Sequence, residues 1–173
     1  MKRCVIDTNV LVTANKAVVC QDDDDVRNHP ELIIGCIETL QSIRSKKMYV
    51  VLDVDDEIFG EYKRYMSFAG QPGVGDIFFK WIHDNRHKNP DTQIKLHKTE
   101  TGYQEFPSAM ESIGVDLSDK KFFSVSYAHR SKPPIYEAVD TKWWNWAEPA
   151  KQCGINIVFI DENYMRAHSI ETV

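Results

Sequence analysis

Cys4-Val5-Ile6-Asp7-Thr8-Asn9-Val10-Leu11-Val12 is the stretch whose reading decides the fold. Three residues that suit a buried interior end at an acid. Two polar residues follow, and apolar side chains then continue at helical spacing to about residue 19. A short buried strand that stops at a carboxylate and turns into a helix is the opening unit of a parallel α/β sheet.

The same unit recurs downstream. Residues 48–52, Met-Tyr-Val-Val-Leu, form a run of β-formers, and Asp53 follows as an N-cap for a helix that passes through Glu57, Tyr62 and Tyr65. Residues 134–139 read as a strand that stops at Asp140. The helix after it runs from Trp143 to Gln152 and is closed by Cys153-Gly154, with glycine in the C-cap role. Residues 155–160 are the last strand, followed by Asp161.

Between these units lie further helices. From Pro30, the residues Leu32, Ile33, Cys36, Ile37, Leu40 and Ile43 recur at helical spacing, with proline in the first turn where its missing N–H costs least. Residues 70–75 are a glycine-rich loop that leads into a helix from Asp76 to about His83. That loop follows no strand and carries no Gly-Lys-Ser/Thr, so it is not a phosphate cradle. Residues 94–97 suit a short strand. Asp116-Leu117-Ser118-Asp119 opens a helix over residues 120–129, with Ser118 or Asp116 available as its cap. Residues 85–115 carry the weakest pattern. Strands alternating with helices imply right-handed crossovers and helices on both faces, hence a three-layer α/β/α fold around a central parallel sheet, as one domain over residues 1–173.

Composition bounds the function. The 173 residues, 42% hydrophobic and 27% charged, are those of an ordinary globular protein with room for one full core. The basic Met1-Lys2-Arg3 start reaches an acid at Asp7 after too few apolar residues for a signal-peptide core, and nothing calls for a membrane. The expected compartment is the cytoplasm. Cys4, Cys20, Cys36 and Cys153 are scattered singly and read as reduced structural residues. The acidic run Asp22-Asp23-Asp24-Asp25 belongs to a solvated loop. A net charge of −5 argues against nucleic-acid binding by bulk electrostatics, yet a carboxylate cluster that holds a cation contributes such charge itself.

Asp7, Asp140 and the segment from Asp53 to Glu57 all follow strands, and Asp119 starts a helix. In an open parallel sheet the strand C-termini and helix N-termini share one edge, where ligands bind. Taken singly, each acid suits capping or a helix dipole. Four at one edge repel one another unless protonated or bridged by a cation, and the hard, oxygen-loving choice is Mg²⁺ or Mn²⁺. Such ions activate an attacking water and neutralise a leaving oxygen, which is the chemistry of phosphodiester hydrolysis.

Residues 4–12 closely resemble the opening motif of the PIN-domain nucleases. Glu57 lies where that family places its second acid, Asp119-Lys120-Lys121-Phe122-Phe123 is similar to its third motif, and Val139-Asp140-Thr141 resembles its fourth, so the likeness spans nearly the whole chain in order. The resemblance implies a PIN-like fold and a Mg²⁺- or Mn²⁺-dependent endoribonuclease that works through metal-activated water. Its metal and catalytic set would be Asp7, Glu57, Asp119 and Asp140, with Thr8 and Asn9 in support. Where many members have a further acid after the fourth motif, this chain has Lys142-Trp143-Trp144, and Asp116 or Asp161 would have to replace it.

Expected partners are RNA, with single-stranded DNA an alternative substrate, and room remains for a homo-oligomer and for an inhibitor or antitoxin protein. Among the local basic clusters, Lys120-Lys121 is the preferred phosphate contact because it adjoins Asp119. Trp143, Trp144 and Trp146 read as packing residues. A rival reading is a non-catalytic PIN-like module that binds RNA or protein. A phosphatase with an aspartate nucleophile would want a second aspartate where this chain has Asn9.

Overall fold

Residues 3–6 begin the sheet because every side chain from Cys4 to Ile6 finds a fully buried place. In the computed structural model, which describes residues 2–18, 26, 29–69 and 72–169, β1 (Arg3–Ile6) is a central strand. It pairs in parallel with β2 (Tyr49–Val50) on one side and with β7 (Ile135–Glu137) on the other, and β7 pairs in parallel with β8 (Ile157–Phe159). The sheet order is β2-β1-β7-β8. The architecture is α/β around a central parallel sheet, as the alternation of strands and helices implies.

The second β-run divides. Tyr49 and Val50 pair with β1, whereas β3 (Leu52–Asp53) turns away to form a separate parallel pair with β4 (Gln93–Ile94). Asp53 is fully buried, and its two oxygens accept from the backbone N–H groups of Glu57 (2.7 Å) and Ile58 (2.9 Å). It therefore caps α3 (Glu57–Tyr65) from the strand end, across an intervening turn in which Asp56 takes the left-handed conformation (φ 60°).

α1 (Thr8–Asn15), α2 (Pro30–Ser45) and α4 (Val74–Asn85) pack on one another. The approach of α4 to α1 requires glycine, because a Cβ on Gly75 would sit 2.2 Å from the Leu11 carbonyl oxygen. α5 (Lys120–Ala128) meets β1, β3, β7 and α3, while α6 (Lys142–Gln152) packs on β8. Trp143 and Trp146 are core, as expected: Trp143 is fully buried and stacks on Phe123 at 4.6 Å between ring centroids, and Trp146 lies beside it, whereas the half-buried Trp144 packs on Phe159. Gly154 closes α6 at φ 80°.

Two features carried no clear sequence pattern. A hairpin of β5 (Lys98–Thr99) and β6 (Gly102–Tyr103) lies within the weakly patterned region, and α7 (Glu162–His168) follows the last strand. Asp161 caps α7 by accepting from the N–H groups of Asn163 and Tyr164. Cys4 and Cys36 are buried thiols, and burial pushes the Cys4 thiol up to about 12, which keeps it inert. Cys153 is also free. The acidic run at residues 22–25, Cys20 and Gly70 lie outside the described residues. Among the described residues no helix is long and apolar enough to cross a membrane.

Candidate functional site

Asp7 leaves β1 at its C-terminal end and N-caps α1, where its Oδ2 accepts from the backbone N–H of Asn9 at 2.7 Å. Only 3% of it is exposed. A cap of this kind normally faces water, and this one does not. Its strand end is held from two sides, by the Asp7 N–H donating to the Tyr136 carbonyl (2.9 Å) and by the buried Tyr62 hydroxyl donating to the Ile6 carbonyl (2.5 Å).

The parallel register sets Ile6 beside Tyr136, so the next residue of β7, Glu137, falls against Asp7. Glu137 is fully buried. Its Oε1 accepts from the N–H groups of Val139 and Asp140, both at 2.9 Å, while its Oε2 is buried with no hydrogen-bond partner among the described residues. Burial is the largest reason that the Asp7 carboxyl titrates well above the usual aspartate range, and the charge and hydrogen bonding of Glu137 add to it, with Glu61 contributing further. Burial also pushes Glu137 up to about 7, although its contact with Asp7 pulls it down. The contact raises Asp7 and lowers Glu137. One proton between the two carboxyls lets them hydrogen-bond, and with both deprotonated they repel each other and the Glu137 Oε2 has no partner among the described residues.

Asp119 stands immediately before α5 and is half-buried. Burial pushes it up to about 7, and the charges of Asp7, Asp140 and Asp116 act in the same direction against the opposing pull of Lys121. The sheet edge thus brings together Asp7, Asp119 and Asp140 as the sequence suggests, with Asp116 at the margin. Asp116 is tied to the Lys142 ammonium at 2.6 Å, and Asp140 accepts from the Lys142 N–H at 3.1 Å. Asp161 is occupied in capping α7.

Three sequence assignments change. Glu57 does not face Asp7; it pairs with Lys98 of the hairpin, and the α3 acid that reaches the cluster is Glu61, one turn further on. Glu61 accepts from the Thr8 hydroxyl at 2.5 Å and pairs with the Lys121 ammonium at 2.6 Å. Thr8 accordingly supports Glu61 rather than Asp7, and Asn9 supports Asp7 through its backbone. Lys120 is not at the cluster either. It is buried under the Phe106 ring, where its ammonium pairs with Glu111 (2.6 Å) and donates to the Thr101 carbonyl (2.8 Å), so the neighbouring Lys121 is the lysine of the site.

Glu137 and Glu61 were the residues missed. Glu137 has a signal: it is an acid inside the otherwise apolar run Ile135-Tyr136-Glu137-Ala138-Val139, three residues before Asp140. Glu61 has none beyond its helical spacing from Glu57, which places both on one face of α3.

Among the described residues, no three acids, histidines or cysteines converge closely enough to hold an ion in their present rotamers. The outer acids are turned to Lys142, Thr8 and Lys121. The inner donors nevertheless suit a hard divalent cation. Asp7, Glu137 and Asp119 offer carboxylate oxygens, make no ion pair among the described residues, and are held protonation-prone by one another and by burial. A cation there would relieve that repulsion and give the Glu137 Oε2 a partner. No family model, curated protein or solved structure matches this chain.

Proposed function

We propose that the protein is a Mg²⁺- or Mn²⁺-dependent phosphodiesterase, an endoribonuclease with a PIN-like three-layer fold, whose site is the carboxylate edge of the sheet. One observation carries the reading: Asp7, Glu137, Asp119 and Asp140 share one edge, and the inner three form no ion pair among the described residues. Capping accounts for one oxygen of Asp7; it does not account for an orphaned oxygen on a fully buried glutamate beside it. The order of motifs that resembles the PIN nucleases supports the substrate class, and the two helix groupings, α1-α2-α4 and α3-α5, suit three layers.

Asp7, Glu137, Asp119 and Asp140 would hold the ion, which when bound supplies the positive charge that activates water and offsets the charge of the leaving oxygen. The chain's own contributions are distinct. Tyr62 and the β1–β7 ladder position Asp7; the N–H groups of Val139 and Asp140 orient Glu137; Lys121 holds Glu61 and faces Asp119.

The test is cleavage of labelled single-stranded RNA and DNA in Mn²⁺, Mg²⁺ and EDTA by the wild type, Asp7→Asn and Asp140→Asn. Cutting that needs the ion and disappears in both folded variants supports the reading, and the preferred strand names the substrate. Wild type that cuts neither strand, or variants that cut as well as wild type, would overturn it in favour of a binding module.

A further inference from the structure

At the opposite end of the sheet lies a pocket of a different character. Arg3 at the start of β1 is in register with Tyr49, whereas Asp7 follows the other end of the same strand. That puts roughly 13 Å of strand between the pocket's edge and the carboxylate edge, at about 3.3 Å per residue. The pocket, about 360 Å³, opens between the ends of α2 and α4 and the start of β2.

Among the described residues its wall contains four cations, Arg44, Lys47, Arg86 and Lys88, and no carboxylate, in a chain whose net charge is −5. Its floor is apolar, formed by Met48, Val50 and Ile82, which are buried, with the half-buried Trp81 beside them. The volume is at the lower end of small-ligand sites, about 300–1,000 Å³.

Helix C-termini attract cations, and Arg44 in the last turn of α2 and Arg86 at the end of α4 gain from that. The dipoles explain neither the exclusion of acids nor the form of the wall. Arg86 lies 3.7 Å over the Phe59 ring, and Asp56, outside the pocket, engages one guanidinium nitrogen; the Arg86 Nε is buried with no hydrogen-bond partner among the described residues. Lys88 is steadied by Asn85 at 3.0 Å, and Asn85 is itself anchored to the Trp81 carbonyl at 2.7 Å. Lys47 occupies the left-handed region (φ 49°), where glycine is the low-cost residue, so a long cationic side chain is kept there against backbone strain. Arg44 and Lys47 are exposed and make no ion pair among the described residues.

We propose that this pocket binds a nucleotide, with its phosphate among Arg44, Lys47 and Lys88 and its base on the apolar floor beside Trp81. Guanidinium and ammonium groups suit phosphate, and an indole beside buried aliphatic side chains suits a flat heterocycle. The same chemistry is offered by a free mononucleotide and by one unstacked nucleotide of a single strand. The site is independent of the carboxylate edge and of the function proposed for it.

The experiment is calorimetric titration in EDTA with AMP, adenosine, inorganic phosphate and a 5′-phosphorylated adenylate trinucleotide. AMP or the trinucleotide is expected to saturate one site with Kd below about 1 mM, with adenosine and phosphate each weaker by about tenfold or more. The double variant Arg44→Ala/Lys47→Ala, altered only at exposed side chains, should weaken binding by about tenfold or more, and Trp81→Leu should weaken AMP more than phosphate. Asp7→Asn should leave the titration unchanged. Saturation by AMP marks a free nucleotide as the ligand, and saturation by the trinucleotide alone marks a strand. The proposal fails if neither saturates, if the double variant binds as wild type does, or if Asp7→Asn removes the binding.

Discussion

The inner carboxylates and the α3–α5 flank lie side by side yet are charged in different ways. On the flank each acid has its own lysine: Glu61 with Lys121, Glu57 with Lys98, Glu111 with Lys120, and Asp116 with Lys142 further round. A few residues away, Asp7 and Glu137 are more deeply buried and form no ion pair among the described residues, and the half-buried Asp119, although Lys121 faces it, forms none either. Burying a charge is costly unless it is paired, so the more buried group should be the better compensated one. Here the order is reversed. The chain supplies its own cations where a structural ion pair suffices and omits them at the strand ends, which is the pattern expected where the compensating charge comes from outside.

That contrast is open to direct attack. Its strongest consequence is that Glu137→Gln, a substitution that keeps shape and leaves the flank untouched, should reduce ion-dependent RNA cleavage by about a hundredfold or more, beyond the loss typical of a supporting residue. Cleavage kinetics in Mn²⁺ would measure this, and near-normal turnover would remove Glu137 from the site. Next in size is Glu61→Gln. It leaves the Lys121 ammonium buried without its counter-charge, so urea denaturation should show a loss of up to about 3 kcal/mol, with cleavage lowered about 10–100-fold. Adding Lys121→Met should return most of the stability and none of the activity, which separates the two roles.

The pH dependence of stability is a smaller effect with a definite sign. Asp119 titrates at about 7 when folded and near 4 when unfolded, so the folded state binds its proton more readily. The stability this contributes is fully present below the unfolded value and is lost as pH rises through about 7. In EDTA the Tm should therefore fall between pH 5 and pH 8 more steeply for wild type than for Asp119→Asn, at about 2–4 °C per kcal/mol, and saturating Mn²⁺ should flatten the wild-type curve. Equal slopes for the two proteins would show that Asp119 is not held protonated. The smallest effect belongs to Glu57→Gln. Its pair with Lys98 is largely exposed on the lysine side, where solvent screens it, so denaturation should register little or no loss of stability. A severe loss of cleavage there would restore Glu57 as the α3 acid of the site in place of Glu61.

Much of this was legible in the chain. Residues 4–9 announce a strand, an acid and a cap with only local information, because a charged residue is costly to carry further into a buried strand and aspartate is a good helix N-cap. The same local rules yield α2 from its apolar spacing, the end of α6 from Gly154, and the tryptophan packing. They also place Asp7, Asp119 and Asp140 on one edge, since parallel strands all end on the same side. They are silent where pairing partners or side-chain reach decide. The division of residues 49–53 between two sheets depends on which strand lies alongside each half, and the β5–β6 hairpin is too short to leave a period.

Sequence alone, then, determined the α/β class and the edge at which the acids gather. Only the tertiary structure decided which acids meet. Glu137 joins Asp7 through the β1–β7 register, Glu61 replaces Glu57 by one helical turn, and Lys120 and Lys121, adjacent in sequence, diverge to Glu111 and to Glu61. The physical reason is one of range. Capping and periodicity act within a few residues and are written in the local order of side chains, whereas the energy of a buried charge depends on every group within a few ångströms, whatever its distance along the chain.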